Sequence, residues 1–206
     1  MYWTTLITAN LEKLILASSS PRRAEILNAV HWPFEPVPAN IDESRWQSEA
    51  ALPYVKRLAE TKARTVAARF SSGLVLGADT VVVIGTEILG QPREAKEARR
   101  MLKLLSGKWH EVITGVTLVR AENGKAVVDH EITRVRVAEL SDDEIDWYVE
   151  TGEPLDKAGA YAIQGRAGVF IEEIDGDYFN IVGLPVRLVY ELAQRMRDRT
   201  GSAATR

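Results

Sequence analysis

The chain has 206 residues, of which 46% are apolar and 27% charged, and its formal net charge is −3. This length and composition suit one buried domain, or two lobes around a cleft, and the slightly acidic balance argues against a general nucleic-acid binder, which would show a basic face. The lack of cysteine excludes disulfides, thiolate metal sites and a thiol nucleophile; it fits a reducing compartment, with the cytoplasm as the default.

No stretch of the chain has the pattern of an export signal or a membrane anchor. The N-terminal stretch lacks a basic start, and Glu12 and Lys13 interrupt the apolar run that a signal peptide needs. The longest later aliphatic run, residues 81–84, is far shorter than the roughly 20 residues that cross a bilayer. We therefore expect neither export nor a membrane partner.

The first predicted elements are a strand and the helix that follows it. Residues 14–18 are apolar with polar flanks, as in a buried strand, and Ser20 and Pro21 have the character of an N-cap and a first helical residue. Arg22 and Arg23 then stand in the first turn, where the backbone amides already carry partial positive charge. Something anionic is therefore expected nearby.

Two helices and an apolar strand follow in the middle of the chain. Apolar stripes predict helices over residues 54–70 and 94–107, the second closed by Gly107. Between them, residues 73–85 are β-branched and almost wholly apolar, as in a strand covered on both faces. One carboxylate, Asp79, lies in the middle of this strand.

The second half of the chain favours hairpins and two further helices. The predicted features are a hairpin around Asn123-Gly124, a capping box of Ser141 and Glu144 that opens a helix to about Glu150, a second hairpin of residues 169–174 and 178–182, and a helix from Pro185 to about Arg197. Residues 199–206 are expected to form a frayed tail. The order of elements predicts one α/β domain over residues 1–206, with a mixed β-sheet and flanking helices.

The serines and arginines at the start of the first helix are candidates for phosphate binding. Ser18 to Ser20, the free amides of the first turn, and Arg22 with Arg23 bring donors and positive charge to one point, which suits a polyphosphate. The structural alternative is a capped helix with two solvated arginines.

Asp79 is the strongest single indication of a functional site. A carboxylate in an apolar strand costs several kcal/mol unless a metal, a cation or hydrogen bonds replace its water. A buried ion pair, or a strand that ends at Ala78, would explain it structurally. Buried acids in open α/β folds, however, tend to lie at strand ends beside a ligand crevice, so we favour function.

Other polar residues are weaker candidates when taken one at a time. They are Glu43, Lys62, Gln91, Asp156, Lys157 and Gln164. Gln164 stands among small turn residues, which would either let the backbone approach a flat ligand or simply form a flexible turn. Oxygen ligands such as Glu43, Asp79 and Asp156 suit Mg²⁺ or Mn²⁺ rather than zinc. The three histidines, His31, His110 and His130, are scattered, and we expect surface or half-buried structural roles for them.

Five ordered motifs resemble the Maf proteins, a family of nucleoside triphosphate pyrophosphatases. The motifs are SSSPRR at 18–23, RLAETKA at 57–63, GADT at 77–80, EPLDKAGAYAIQG at 153–165 and IVGLP at 181–185, and the likeness runs from about Leu14 to Leu192. It implies an elongated α/β fold with two lobes around a central cleft, a cytoplasmic and often homodimeric protein, and metal-dependent hydrolysis of a nucleoside triphosphate to the monophosphate and pyrophosphate.

The resemblance also implies roles for individual residues. Asp79 would accept the proton of the attacking water, with Lys62 and Arg23 as further catalytic residues, and Glu43, Asp79 and Asp156 would hold a divalent cation, Mg²⁺ or Mn²⁺. The expected substrate-binding residues are Ser18, Ser20, Arg22, Thr80, Gln91, Lys157 and Gln164. Whether Asp79 acts as the base or mainly as a metal ligand stays open at this point.

Three positions favour the thymidine/uridine branch of that family. The 7-methylguanosine triphosphate branch has tryptophan where Arg22 stands, an SDQ-like stretch in place of residues 78–80, and glutamate where Gln164 stands. A glutamine amide offers a donor, which matches O4 of uracil or thymine, and an acceptor, which matches N3–H. We therefore expect dTTP and UTP as substrates, with 7-methylguanosine or other modified nucleotides as the alternative.

One position departs from the family pattern. Gln91 stands where a lysine is usual before the proline, so a point charge beside the triphosphate is lost. One hypothesis is that Arg93 compensates, in which case Arg93→Ala should lose much of kcat/KM. The departure also leaves open a regulatory nucleotide-binding or cell-division protein with vestigial catalysis.

Overall fold

The computed structural model describes residues 11–201, with side chains through Arg197. The expectation of no export signal concerns residues 1–10 in part. These residues, and residues 202–206 at the end of the predicted tail, lie outside this range. Within it, no helix combines the length and the apolar character that crossing a bilayer requires.

Seven strands and six α-helices make up the described chain. The strands are β1 (Leu14–Leu16), β2 (Phe34–Pro36), β3 (Leu74–Ile84), β4 (Glu87–Leu89), β5 (Trp109–Arg120), β6 (Ala126–Val137) and β7 (Ile171–Asp175). The helices are α1 (Pro21–Ala29), α2 (Ala51–Ala67), α3 (Ala95–Leu105), α4 (Asp142–Glu150), α5 (Tyr178–Val182) and α6 (Val186–Gly201). Short 3₁₀ turns cover Glu153–Asp156, Ala158–Ala160 and Arg166–Phe170.

The strands form one mixed sheet, as predicted. Its order is β2-β1-β3-β5-β6-β7, with β4 paired to β3. Strand β1 runs parallel to both β2 and β3, whereas the β3–β4 and β6–β7 pairs are antiparallel. The described chain divides into two compact units: the first holds residues 11–79, 115–130 and 183–201, and the second holds residues 80–114 and 131–182.

Helix α2 packs very closely on the sheet of the first unit. Its buried stripe includes Leu58 and Val66, which are fully buried. A Cβ added at Gly77 of β3 would lie 2.2 Å from the Ala59 carbonyl oxygen, and one added at Gly115 of β5 would lie 2.5 Å from that of Val55. Only glycine leaves room for the helix backbone at these two points.

The second unit has its own apolar core. Fully or almost fully buried side chains of α3, β5, β6 and α4 meet the 3₁₀ segment before β7; among them are Leu102, Leu105, Val135, Tyr148 and Phe170. The capping box is also present, since the Ser141 hydroxyl accepts the Glu144 N–H and the Glu144 carboxylate accepts the Ser141 N–H. The predicted start of α4 is therefore confirmed.

The predicted second hairpin is wrong. Residues 178–182 form the short helix α5, and β7 pairs with β6 instead. The Asp177 carboxylate explains the difference, because Oδ1 accepts the N–H groups of Phe179 at 2.6 Å and Asn180 at 3.3 Å and so caps a helical turn. The aromatic and β-branched composition of this stretch favours a strand locally, and the cap overrides it.

Two smaller expectations also need correction. Ser20 occupies the N-cap position of α1, but its side chain makes no capping hydrogen bond. His110 is buried rather than half-exposed, at 2% exposure, with Nε2 2.8 Å from the Tyr161 hydroxyl. Burial lowers the pKa of His110 to about 4, so the ring is neutral near pH 7.

Candidate active site

Helix α2 places Lys62 against Asp79 of β3 within the first unit. Lys62 Nζ lies 2.7 Å from Asp79 Oδ1 and 2.9 Å from Glu43 Oε1, so two carboxylates share one ammonium. The side chains of Lys62 and Asp79 are each 9% exposed, whereas that of Glu43 is 55% exposed. The cluster therefore reaches solvent through Glu43, and the ion pair that the sequence left open as a structural explanation is present.

The electrostatics of Asp79 suit a proton acceptor. Burial raises its pKa above the ordinary aspartate value, while the charges of Lys62 and Arg23 act in the opposite direction. A carboxylate whose pKa is raised holds a proton more readily, as a general base working near neutral pH requires. Lys62 provides the compensating charge without which a buried carboxylate would be strongly destabilising.

Arg22 and Arg23 differ in their surroundings. Arg23 is buried, and its guanidinium donates from Nε to the Gly183 carbonyl oxygen at 2.8 Å and from Nη1 to Ser18 Oγ at 3.1 Å. Burial lowers the pKa of Arg23, Asp79 and Glu43 raise it, and Arg22 lowers it. Arg22 is half-buried. Arg23 therefore ties the start of α1 to Gly183, and the negative charges of Asp79 and Glu43 act on its guanidinium.

Ser18 links β1 to the start of the helix. Its hydroxyl oxygen accepts the Ser20 N–H at 3.1 Å as well as the Arg23 hydrogen bond. Ser18, rather than the expected Ser20, thus accepts a backbone N–H at the start of α1. Within the predicted cluster, Ser18 is therefore hydrogen-bonded to both the Ser20 backbone and the Arg23 side chain.

Sequence reasoning missed the residues that hold the loop carrying Glu43. The Tyr54 hydroxyl donates to the Glu43 carbonyl oxygen at 2.7 Å, and Arg57 makes two 2.7 Å hydrogen bonds to the Glu49 carboxylate. Helical spacing would have pointed to Tyr54, because it stands two helical turns before Lys62 on the same face of α2.

Four of the predicted site residues make contacts within the second unit. Thr80 Oγ1 lies 2.9 Å from Thr114 Oγ1, Gln91 Nε2 donates to the Asp156 carbonyl oxygen at 3.2 Å, and the Asp156 carboxylate pairs with Lys157. Gln91, Asp156 and Lys157 are thus brought together. Arg93, the hypothetical replacement for the missing lysine, is exposed.

Gln164 lies at the tip of an exposed turn in the second unit. Its side chain makes no hydrogen bond to any residue in the part of the chain that the structure describes. The turn itself is held by Tyr148 and Glu153 through hydrogen bonds to backbone N–H groups at its two ends. The sequence contains Glu153 within a motif but gave no indication of this contact.

The acidic residues of the first unit fit a hard divalent cation. Glu43 and Asp79 offer carboxylate oxygens within hydrogen-bonding distance of one nitrogen, Lys62 Nζ. Mg²⁺ is commonly held by one or two carboxylates together with substrate phosphates. Across residues 11–201 no group of three or more acidic or histidine side chains would hold a metal alone, and the set of Glu43, Asp79 and Asp156 stays a prediction.

Comparisons with known proteins agree with the resemblance. The family model described as "Maf-like protein" matches residues 13–196. The chain is 52% identical over 185 residues to a dTTP/UTP pyrophosphatase of Symbiobacterium thermophilum, covering 89% of this chain and 94% of that protein. It is 48% identical over 182 residues to a dTTP/UTP pyrophosphatase of Koribacter versatilis, covering 88% and 93%.

A structural comparison gives a weaker likeness. The Staphylococcus aureus Ham1 protein superposes with a TM-score of 0.45 at 10% identity, over 62% of this chain and 73% of that one. The sequence matches are therefore the informative ones, and they span nearly the whole described chain. The chain belongs to the Maf-like protein family.

Proposed function

We propose that the chain hydrolyses dTTP and UTP to the corresponding monophosphate and pyrophosphate. The observation that carries the proposal is the position of the Lys62 ammonium between the carboxylates of Asp79 and Glu43. The charges of the same two carboxylates act on the buried Arg23. The names of relatives that are about half identical over most of their length support the substrate class.

In the proposed reaction, this chain's cations bind the triphosphate and Asp79 takes up a proton. Arg22, Arg23 and Lys62 offset the phosphate charge, and the Ser18–Ser20 segment offers hydrogen-bond donors. Asp79 orients a water and accepts its proton as the water oxygen bonds to the α-phosphorus. The bond from that phosphorus to the α–β bridging oxygen breaks, and pyrophosphate leaves with the electron pair.

The metal would be held by the acidic residues, with Glu43 and Asp79 as the first candidates and Asp156 as the third. When bound, a Mg²⁺ or Mn²⁺ ion supplies charge stabilisation at the phosphate oxygens. Asp79 would then serve as base or as metal ligand. The metal affinity of Asp79→Asn separates the two duties, because losing a ligand weakens metal binding whereas losing only the base does not.

We assign recognition of the base to Gln164, with Thr80, Gln91 and Lys157 as further substrate contacts. A glutamine amide can donate to O4 and accept from N3–H of uracil or thymine. A glutamate at the same place offers only acceptors and would suit the donor edge of guanine. The exposed, unpartnered side chain of Gln164 is consistent with this role.

The decisive experiment is a pyrophosphate-release assay over a nucleotide panel. It compares dTTP, UTP, CTP, ATP, GTP and 7-methylguanosine triphosphate, each with Mg²⁺ and with Mn²⁺, and uses Asp79→Asn as the low-activity control. Preference for dTTP and UTP supports the proposal. Preference for 7-methylguanosine triphosphate rejects the substrate assignment, and binding of dTTP without pyrophosphate release favours a regulatory nucleotide-binding protein.

We also infer a cytoplasmic homodimer. The lack of cysteine supports a reducing compartment, and the family resemblance supports the dimer. Sedimentation at several protein concentrations tests the second point, since a monomer at all of them would reject it.

A further inference from the structure

The turn that carries Gln164 is held by two side chains that have no role in the proposed reaction. We call residues 162–166 the Gln164 turn. The Tyr148 hydroxyl of α4 accepts the Ala162 N–H at 3.1 Å, and the Glu153 carboxylate accepts the Arg166 N–H at 3.0 Å and 3.3 Å. One side chain thus holds each end of the turn.

Tyr148 and Glu153 are also bonded to each other. The Tyr148 hydroxyl donates to Glu153 Oε1 at 2.9 Å. A hydroxyl has one proton and two lone pairs, so Tyr148 can donate its proton to Glu153 and at the same time accept the Ala162 N–H. The two holding contacts are therefore one connected network rather than two independent bonds.

The Tyr148 end of the network is tightly packed. The Tyr148 side chain is fully buried, and its ring meets Phe170 edge-on with centroids 5.7 Å apart. Burial raises the pKa of the Tyr148 phenol, which keeps the hydroxyl protonated and able to donate. The direction of the hydrogen bonds does not change with pH near neutrality.

Gly165 shows how closely the carboxylate approaches the turn. A Cβ placed on Gly165 would lie 2.2 Å from Glu153 Oε1 and 2.8 Å from Oε2. The backbone φ of Gly165 is −103°, which any residue adopts, so the demand for glycine here is one of space and not of conformation. The carboxylate lies directly against the turn backbone.

From these contacts we propose that Tyr148 and Glu153 are positioning residues that set the Gln164 amide for recognition of the pyrimidine base. The inference rests on the proposed function, since it assumes that Gln164 reads the base. Neither residue touches the phosphates in this scheme. Loss of the network should weaken the binding of a nucleotide and leave that of a base-free polyphosphate unchanged.

The test measures two dissociation constants by calorimetry with Mg²⁺ present. One ligand is α,β-imido-UTP, which carries the base but resists hydrolysis, and the other is tripolyphosphate, which has no base. In Tyr148→Phe we expect binding of the uridine analogue to weaken about tenfold, as for the loss of one or two hydrogen bonds, and that of tripolyphosphate to change less than about twofold. Tyr178→Phe, at an exposed position, is the matched control.

A double-mutant cycle tests the contact at Gly165 directly. Gly165→Ala should weaken the uridine analogue in the otherwise unchanged chain, because the new methyl group displaces the carboxylate. In a Glu153→Ala background the same change should have little further effect, because nothing is left to displace. Melting temperatures of all variants show whether each is folded at the assay temperature.

The outcomes separate this inference from the proposed function. Equal loss of both ligands in Tyr148→Phe, no loss of either, or an equal effect of Gly165→Ala in both backgrounds would overturn the positioning role. Failure of the unmodified chain to release pyrophosphate from UTP rejects the proposed function, while the binding measurements still decide the positioning role. Failure of the unmodified chain to bind the uridine analogue overturns both.

Discussion

Lys62 and Asp79, 17 positions apart in the sequence, meet in a 2.7 Å hydrogen bond in which each side chain is only 9% exposed. A helix supplies the cation and a strand supplies the anion. Removing one partner of such a pair costs more than the pair itself contributes, because the other charge is left buried and alone. Loss of either charge should therefore be measurable in the stability of the protein.

Lys62→Met should lower the free energy of unfolding by about 3 kcal/mol at pH 8, since Asp79 is then buried without its counter-charge. The loss should be smaller at pH 5 than at pH 8, because burial raises the pKa of Asp79 and removal of the Lys62 charge raises it further, so that protonation relieves more of the penalty at the lower pH. Urea unfolding at both pH values measures the effect. Adding Asp79→Asn to Lys62→Met should restore part of the loss; a double variant weaker than Lys62→Met would contradict this account.

Asp79→Asn should reduce kcat/KM for UTP at least about 100-fold, or roughly 3 kcal/mol in transition-state stabilisation, because the amide cannot accept the proton of the attacking water. Pyrophosphate release under steady-state conditions measures it. Asp143→Asn, at an exposed position of α4, is the matched control. Near-normal turnover by Asp79→Asn would remove this residue from the chemistry.

The pH dependence of kcat should report the raised pKa of Asp79. As the pH falls through that pKa, Asp79 becomes protonated in the folded protein and can no longer act as a base, so kcat should decline at a pH above the ordinary aspartate value of 3.8. Saturating UTP and a fixed metal concentration isolate this step. The residual rate of Asp79→Asn should lack the same decline, and its persistence there would assign the titration to another group.

Arg23→Lys should destabilise the first unit and weaken binding of tripolyphosphate. A lysine has one nitrogen and cannot reach both the Gly183 carbonyl and Ser18 Oγ, so we expect a loss of about 1–3 kcal/mol in the free energy of unfolding. Arg187→Lys on α6, whose side chain is 72% exposed, is the control and should change stability by less than about 0.5 kcal/mol. Equal stability of the two variants would show that the buried fork is unimportant.

His110 should make the protein less stable as the pH falls. Its pKa is about 4 in the folded state against an ordinary value of 6.5, so between these values the unfolded chain binds the proton and the folded chain does not. This predicts a loss of about 2 kcal/mol from pH 7.5 to pH 5 that His110→Gln, which cannot titrate, should lack. Parallel stability curves for the two proteins would refute it.

Much of the fold could be predicted from periodicity and turn chemistry. The apolar stripes gave α2 and α3 within a few residues, and the capping box and Asn123-Gly124 gave α4 and the β5–β6 hairpin. Such signals are local, because they depend on side chains a few positions apart. Residues 178–182 were mispredicted because their local composition favours a strand, and the Asp177 cap is effective only in the folded backbone.

The candidate site, like the fold, could be predicted from the sequence only in part. Lys62, Asp79 and Glu43 could each be chosen from motifs, but the sharing of one ammonium depends on how α2 lies across β3. The supporting residues Tyr54 and Tyr148 resemble ordinary aromatic side chains in the sequence. The roles of their hydroxyls become clear only in the folded chain, where backbone groups lie within hydrogen-bonding distance of them.

Gly77 and Gly115, which lie against the backbone of α2, make the chain sensitive to substitution at these two positions. A single methyl group at residue 77 or 115 would push the helix off the strands, and Lys62 would travel with it. Folding and catalysis would then be lost together, and no substitution at residue 77 or 115 should impair catalysis without impairing folding. In a saturation library scored separately for abundance and turnover, every substitution at these two codons should therefore fall on both scales together.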